Sequence, residues 1–296
     1  MTVVLSQAAT LSGYRPDDPL VIALGSGHLA RGGLTTSTLI YVASLAKQVV
    51  AACAALLVRE GSLDLSAPVG SGLDEAVRVR HLIHHTSGLA LDHPVGGPLP
   101  LDLAFPPGTR HSYANVGYVV LAEVVSRAAG MPFADFARWR IFEPLGMADS
   151  LFWSGPEPAP PGAAPLDPAD PAPLSIGDGG MWSTATDLLR WADGLNADRL
   201  GLTDLVQTPG TLDDGTVLDY AWGMGIRTRF GYRAYQHGGG YADLRAMLVR
   251  VPAKGLDLVV LALADRTERS IALTGRLLEA LLSERGRPGV THGAGP

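Results

Sequence analysis

Residues 41–58 read YVASLAKQVVAACAALLV. Leu45, Val49, Val50, Cys53, Ala54, Leu56 and Leu57 recur at helical spacing after a short extended run, so the stretch predicts a buried helix. Ser44 stands where that helix begins, a position that favours serine. Lys47 follows three residues later, and residues i and i+3 share a helix face, which brings its amine within reach of the Ser44 hydroxyl. A serine hydroxyl becomes a useful nucleophile only when a neighbour takes its proton. Lysine can do so only when neutral, and an apolar helix face disfavours its charged form. The chain has two lysines, Lys47 and Lys254; its other fixed cations are arginine, which does not deprotonate in a protein. Read alone, the pair is more simply a helix-capping serine beside a snorkelling lysine, since short motifs arise often by accident.

The remaining composition bounds the setting. A chain of 296 residues, 47% hydrophobic and 18% charged, can bury a full core as one large domain or two tightly packed lobes. The net charge of −6 and the lack of a basic stripe give no reason to expect nucleic acid as a partner. The single cysteine, Cys53, lies inside the apolar helix and reads as a core residue. The opening residues carry no basic segment before their short apolar run, so no signal peptide is expected; nor is there an apolar run long enough for a membrane span. The expected location is the cytoplasm.

Along the chain, residues 20–25 read as a buried strand and 38–42 as a second extended segment leading into the serine helix. Residues 79–85 predict a short helix. His81, His84 and His85 have spacing that a metal site could use, but no nearby carboxylate or cysteine joins them, and local hydrogen bonding is the expected role. A Pro/Gly-rich loop leads to Ser112-Tyr113-Ala114-Asn115, followed by a helix over 116–129 and another opened by Pro132. Residues 155–173 read as a Pro-rich surface loop. Ser183 or Thr184 caps a helix carrying Leu188, Leu189, Trp191 and Leu195, with Asp187 in its first turn. Residues 221–230, 233–237, 244–251 and 256–264 read as strands joined by short antiparallel turns. A helix over 267–283 and a flexible tail at 286–296 close the chain.

Three segments carry the chemistry: Ser44-Leu45-Ala46-Lys47, Tyr113-Ala114-Asn115 and His237-Gly238-Gly239. Their order and context, from about residue 35 to 265, resemble the serine β-lactamase and penicillin-binding-protein superfamily, and the Tyr-x-Asn segment resembles its class C branch. The resemblance extends through HLIHHTSGL, FPPGTRHSYANVGYVVLAEVV and GDGGMWSTATDLLRWADGL. It implies an α+β fold with an antiparallel sheet flanked by helices. One lobe would combine residues 1–59 with 217–296 and a mostly helical lobe would hold 60–216, the active site lying in the cleft between them.

The resemblance also implies roles. Ser44 would form an acyl-enzyme, with Lys47 and Tyr113 as a coupled proton-handling pair in which either could be the resting base. Asn115 would bind a substrate amide or carbonyl and help hold Lys47. Tyr113 and Asn115 are expected in a loop just before the helix, where residues two apart can both face the cleft. His237, Gly238 and Gly239 would contact substrate, and the N–H groups of Ser44 and Gly240 would form the oxyanion hole. No cofactor and no metal are implied.

The third segment departs from the Lys-Thr-Gly usual among penicillin-recognising members. A permanent cation and a hydroxyl are missing, which demotes β-lactamase, D-aminopeptidase and DD-peptidase activity and favours an ester, amide or other small uncharged acyl donor. The short segment before Ser44 implies a trimmed first hairpin. Acyl transfer to an amine or alcohol is the alternative to hydrolysis. An inactive binding domain would require loss of a proton-handling group, and all three are present. The oligomeric state has no sequence signal.

Overall fold

In the computed structural model all residues are described except 71, 95–96, 154, 156, 158, 167–174, 266–268 and 285–296. The tail expected at 286–296 and much of the loop expected over 155–173 therefore lie outside the described residues.

The chain opens with helix α1 (Thr2–Leu11) and the hairpin of β1 (Leu20–Leu24) and β2 (Gly27–Arg31). Every residue of β1 is buried, because it lies inside a six-stranded antiparallel sheet with both faces covered. Successive side chains go to opposite faces. Val21 and Ala23 join the large core, while Leu20, Ile22 and Leu24 join a second core against the helices on the outer face. The sequence reading assigns no element to residues 2–11. Their helix packs against the carboxy-terminal helix, a contact that local periodicity does not carry.

Strand β3 (Ile40–Tyr41) belongs to a separate small sheet and leads through a 3₁₀ turn, Ala43–Leu45, into α2 (Ala46–Arg59). Residues Ala46 through Leu57 of α2 are all buried, so this is a core helix on every side, with Cys53 inside it as expected. The middle of the chain supplies α3 (Val79–Ile83) and α4 (Asn115–Ala129), which stops at Gly130 in the left-handed conformation. Then come α5 (Phe133–Ala137), a π turn over Arg138–Phe142 and α6 (Glu143–Leu145), which ends at Gly146. Pro144 does not stop this run because it lies in the first turn of α6, where its missing N–H costs nothing.

Strands β4 (Leu151–Phe152) and β5 (Met181–Ser183) complete the small sheet. Helix α7 (Ala185–Asn196) follows, capped by Thr184, whose hydroxyl accepts the Asp187 N–H. It packs on β1 of the large sheet, and its Trp191 indole N–H donates to Gln48 Oε1 of α2 at 3.0 Å. After α8 (Thr203–Val206), the chain forms β6 (Gly225–Arg229), β7 (Tyr232–Tyr241), β8 (Leu244–Val251) and β9 (Leu256–Ala262). The order across the sheet is β2-β1-β9-β8-β7-β6, and α9 (Arg269–Glu284) covers its outer face with α1.

Two boundaries differ from expectation. β6 begins at Gly225 rather than residue 221, because Ala221–Met224 form a tight turn in which the Ala221 N–H donates to the Met224 carbonyl. Gly223 in that turn has φ +71° and lies so near the Lys47 carbonyl that a Cβ there would stand 2.4 Å from the oxygen. β7 continues past His237 through the glycine triplet to Tyr241, whereas β6 pairs with it only as far as Gln236. Among the described residues no single helix is long and apolar enough to cross a membrane.

The Asp187 carboxylate is fully buried. It accepts from the Asp149 N–H and the Ser150 hydroxyl, each at 2.9 Å, and from Arg190 at 2.7 Å. It ties α7 to the chain before β4, which its first-turn position alone does not reveal. Asp187→Ala strands these buried donors and is expected to lower unfolding free energy by about 2–3 kcal/mol. Urea titration would read this as a lower midpoint at unchanged slope.

Candidate active site

The 3₁₀ turn presents Ser44 at the amino end of α2, and Ala43 before it adopts φ +46°, an uncommon backbone state for a residue with a Cβ. Lys47 is one turn on and wholly buried. Its Nζ lies 3.2 Å from Ser44 Oγ and donates to Asn115 Oδ1 and to the backbone carbonyl of Asp178, both at 2.8 Å. A neutral amine has two N–H donors and one lone pair. The two carbonyl-type oxygens take both donors, so the third direction, toward Ser44, is left for the lone pair.

Electrostatics favour that state. Burial pulls the Lys47 amine down to about 7, with Asp178 and Asp92 opposing in part. Burial pushes the Tyr113 phenol well above its ordinary range, and a hydrogen bond with Ser44 offsets this only partly. Lys47 Nζ stands 5.0 Å from the centre of the Tyr113 ring. Of the two candidate resting bases, the free amine is the cheaper to form and the phenolate the dearer.

The second segment splits across a boundary. Tyr113 lies in the loop, but Asn115 is the first residue of α4 rather than a loop residue. Extended Ala114 between them, at φ −137° and ψ 110°, lets both face Ser44. Asn115 Nδ2 donates to Asp92 Oδ1 at 3.1 Å, which fixes the amide with its oxygen toward Lys47.

The third segment comes alongside through β7. A Cβ on Gly239 would stand 2.3 Å from the Val42 carbonyl oxygen, so only glycine lets this strand approach the serine turn so closely. Gly240 lines the same cavity as Ser44. Gly238 is exposed on the strand. His237 does not present a free nitrogen to the cleft. It is buried, its Nδ1 lies 2.7 Å from the Gly238 carbonyl, and its Nε2 lies 3.3 Å from the Tyr220 hydroxyl. Burial and the nearby Lys47 lower it to about 4, so it supplies no cation for a substrate carboxylate at neutral pH. The expected direct contact of His237 with substrate is therefore replaced by a place behind Tyr113, whose ring centre is 5.9 Å away.

The cavity over Ser44 holds about 240 Å³ and is lined also by Tyr41, Asp92, His93, Asp178 and Tyr241. His93 Nε2 lies 3.3 Å from Asp178 Oδ2. Larger hollows lie behind the glycine strand, beside α7 and between α1 and α9, but none of these three is lined by Ser44 or Lys47. The three closely spaced histidines go separate ways. His81 Nδ1 accepts the Arg78 N–H, His84 meets the Trp222 ring edge-on, and His85 lies under Tyr113. Among the described residues no group of three His, Cys, Asp or Glu side chains is placed to hold a metal ion.

A family model described as beta-lactamase matches residues 8–282. The chain belongs to this beta-lactamase family. It is 26% identical over 264 residues to a D-aminopeptidase of Gluconobacter oxydans, covering 77% of this chain and 50% of that protein. The chain spans between about a third and a half of the D-aminopeptidases it matches. Among solved structures, an octameric penicillin-binding protein homologue from Pyrococcus abyssi superposes with a TM-score of 0.77 at 21% identity, covering 97% of this chain and 78% of that one. A D-stereospecific amidohydrolase from Streptomyces superposes at 0.75 and 21% identity, covering 96% and 99%. The antiparallel sheet with flanking helices expected from the sequence is thus the fold of this family.

For a beta-lactamase family member, the groups missing from the sequence reading are instructive. Asp178 holds Lys47 through its backbone carbonyl, and a backbone contact leaves no mark in residue type. Asp92 and His93 reach the cleft from a Pro/Gly-rich loop that has no periodicity to reveal its path. The pH dependence follows from Lys47. Below about 7 its lone pair is protonated, and above it the amine can accept the Ser44 proton. The rate at which an activated ester acylates Ser44 should therefore climb about tenfold per pH unit up to about 7 and then level. Stopped-flow acylation between pH 5 and 9 checks this, and a rate independent of pH across that range would contradict it.

Proposed function

We propose that this protein is a serine hydrolase that cleaves a small ester or amide through an acyl-enzyme on Ser44. The observation that carries the reading is the buried Lys47 amine, with both donors occupied and its remaining position facing the Ser44 hydroxyl. As Ser44 Oγ bonds the acyl carbon, its proton passes to Lys47 and the carbonyl electrons move onto oxygen. The Ser44 and Gly240 N–H groups are assigned to that oxyanion. Collapse expels the leaving group, which takes the proton back from Lys47 by way of the Tyr113 hydroxyl. Water repeats the sequence in reverse roles and frees the acid. An amine or alcohol taking the place of water would make the same site an acyltransferase.

The test is intact-protein mass spectrometry after mixing with p-nitrophenyl acetate. A 1:1 acyl adduct on Ser44 that forms and decays with turnover is expected, and Ser44→Ala should give neither adduct nor turnover. Lys47→Arg keeps the charge but cannot accept a proton, and should lower turnover by about 10²- to 10⁴-fold. Full activity in Lys47→Arg would remove Lys47 as the base. An adduct that persists until an amine is added would favour the acyltransferase.

One feature favours an amide substrate that carries a free amine. The cleft is lined by Asp92 and Asp178 and, among the described residues, by no lysine or arginine, and the Tyr41 and Tyr241 rings form an edge-on aromatic wall. Such a lining suits an ammonium group and repels a carboxylate. Relatives named as D-aminopeptidases agree with this preference. Asp92→Asn should lower kcat/KM for an aminoacyl p-nitroanilide about threefold more than for p-nitrophenyl acetate. An equal loss on both would assign Asp92 only to holding Asn115.

A further inference from the structure

Under the Tyr113 ring lies a buried aromatic group with no part in the acyl-transfer steps above. The His85 ring is fully buried, 4.3 Å from the ring of Tyr113 and 4.9 Å from those of Tyr118 and Tyr220. His237 is 5.9 Å from Tyr113 and 6.1 Å from Tyr220. The backbone at each end assigns the protons. The Ala114 N–H donates to His85 Nδ1 at 3.1 Å, so that nitrogen holds the lone pair and the proton is on Nε2. His85 Nε2 therefore donates to the Tyr220 hydroxyl oxygen at 3.1 Å. At the other end the Gly238 carbonyl only accepts, so His237 carries its proton on Nδ1 and leaves Nε2 as an acceptor. The Tyr118 hydroxyl donates to the Ile83 carbonyl. The Tyr220 hydroxyl completes the chain by donating to His237 Nε2 across 3.3 Å.

We propose that His85 and Tyr220 are positioning residues: their hydrogen-bonded chain, anchored on the Nδ1–H tautomer of His237 that the Gly238 carbonyl sets, holds the Tyr113 ring against Ser44 and Lys47. The hydrogen bonds at the two backbone ends have fixed directions and need no charge; the proton of Tyr220, whose hydroxyl is also hydrogen-bonded with Tyr118, is the one assigned to His237. The groups facing His237 are Tyr113, Tyr220, Lys47 and the Gly238 carbonyl. Those facing His85 are Tyr113, Tyr118, Tyr220 and His111, with Lys47, His84 and His237 also acting on its charge. None is a carboxylate, so neither imidazole has a counter-ion and both stay neutral beside the amine that must give and take a proton. A tyrosine with its hydroxyl between two histidines is what such a chain requires: it accepts from one and donates to the other.

This role rests on the acyl-enzyme reading, so the test has one arm that does not depend on turnover. ¹⁵N-edited spectra of the imidazoles in the wild-type protein should show His85 as Nε2–H and His237 as Nδ1–H, unchanged from pH 8 to pH 5.5. Tyr220→Phe keeps the ring and deletes the bridging hydroxyl. It should leave His237 as Nδ1–H, held by the Gly238 carbonyl, and lower kcat on p-nitrophenyl acetate about tenfold, with KM within about twofold. A wild-type His237 bearing its proton on Nε2 would overturn the proposal even if the variant did not fold. A folded Tyr220→Phe with wild-type kcat would overturn it too. Absence of turnover in the wild type would instead count against the hydrolase reading, and the tautomers would still decide the chain.

Discussion

The structure depends on keeping one lysine amine dry. Lys47 has no exposed surface and no ion-pair partner in contact, only oxygen acceptors and a serine. Lowering such an amine from 10.5 to about 7 corresponds to on the order of 5 kcal/mol in favour of the neutral form. The surrounding fold supplies it through an α2 buried on every side, with α4 across one face, the large sheet beyond another and the Gly223 turn pressed on its carbonyl. A helix that needs burial on all sides cannot lie on a surface, so elements from both ends of the chain must close around it.

That closure explains why β7 carries glycine at position 239. The strand must pass the Val42–Ala43 backbone at a distance no Cβ allows, because the serine turn and the strand frame one small cavity. β6 ends its pairing at Gln236 and leaves that stretch of β7 open toward the turn. Glycine weakens a strand in isolation. Here pairing with β8 continues from Tyr235 to Tyr241 and offsets the loss.

Charge in the cleft is arranged in layers. Nearest the serine is a lysine whose charged form is disfavoured by burial, behind it are tyrosines and histidines without counter-ions, and only at the cavity lining do the Asp92 and Asp178 carboxylates and His93 stand. Burial, rather than pairing, sets the state of the inner groups. The His-Gly-Gly segment fits this order, since its imidazole is turned inward to the Tyr220 hydroxyl instead of outward to a ligand.

Local chemistry made much of this legible from the chain alone. The spacing of Ser44 and Lys47 is a property of one helix, the strands β7 to β9 are joined by short turns, and one of only two lysines in an arginine-rich chain stands one turn after a serine before any contact is known. The order of the three segments pointed to the family and its fold. What the sequence left open was everything set by contacts between distant residues: which of Lys47 and Tyr113 is the easier base, which way His237 turns, and that Asp178 acts through its carbonyl. The first depends on how completely a side chain is dehydrated. The second depends on a hydroxyl seventeen residues away. The third is a main-chain contact across 131 residues, to which side-chain identity is blind. Residue types determine which chemistry is available here; only tertiary packing, by removing water and fixing hydrogen-bond direction, decides which group performs it.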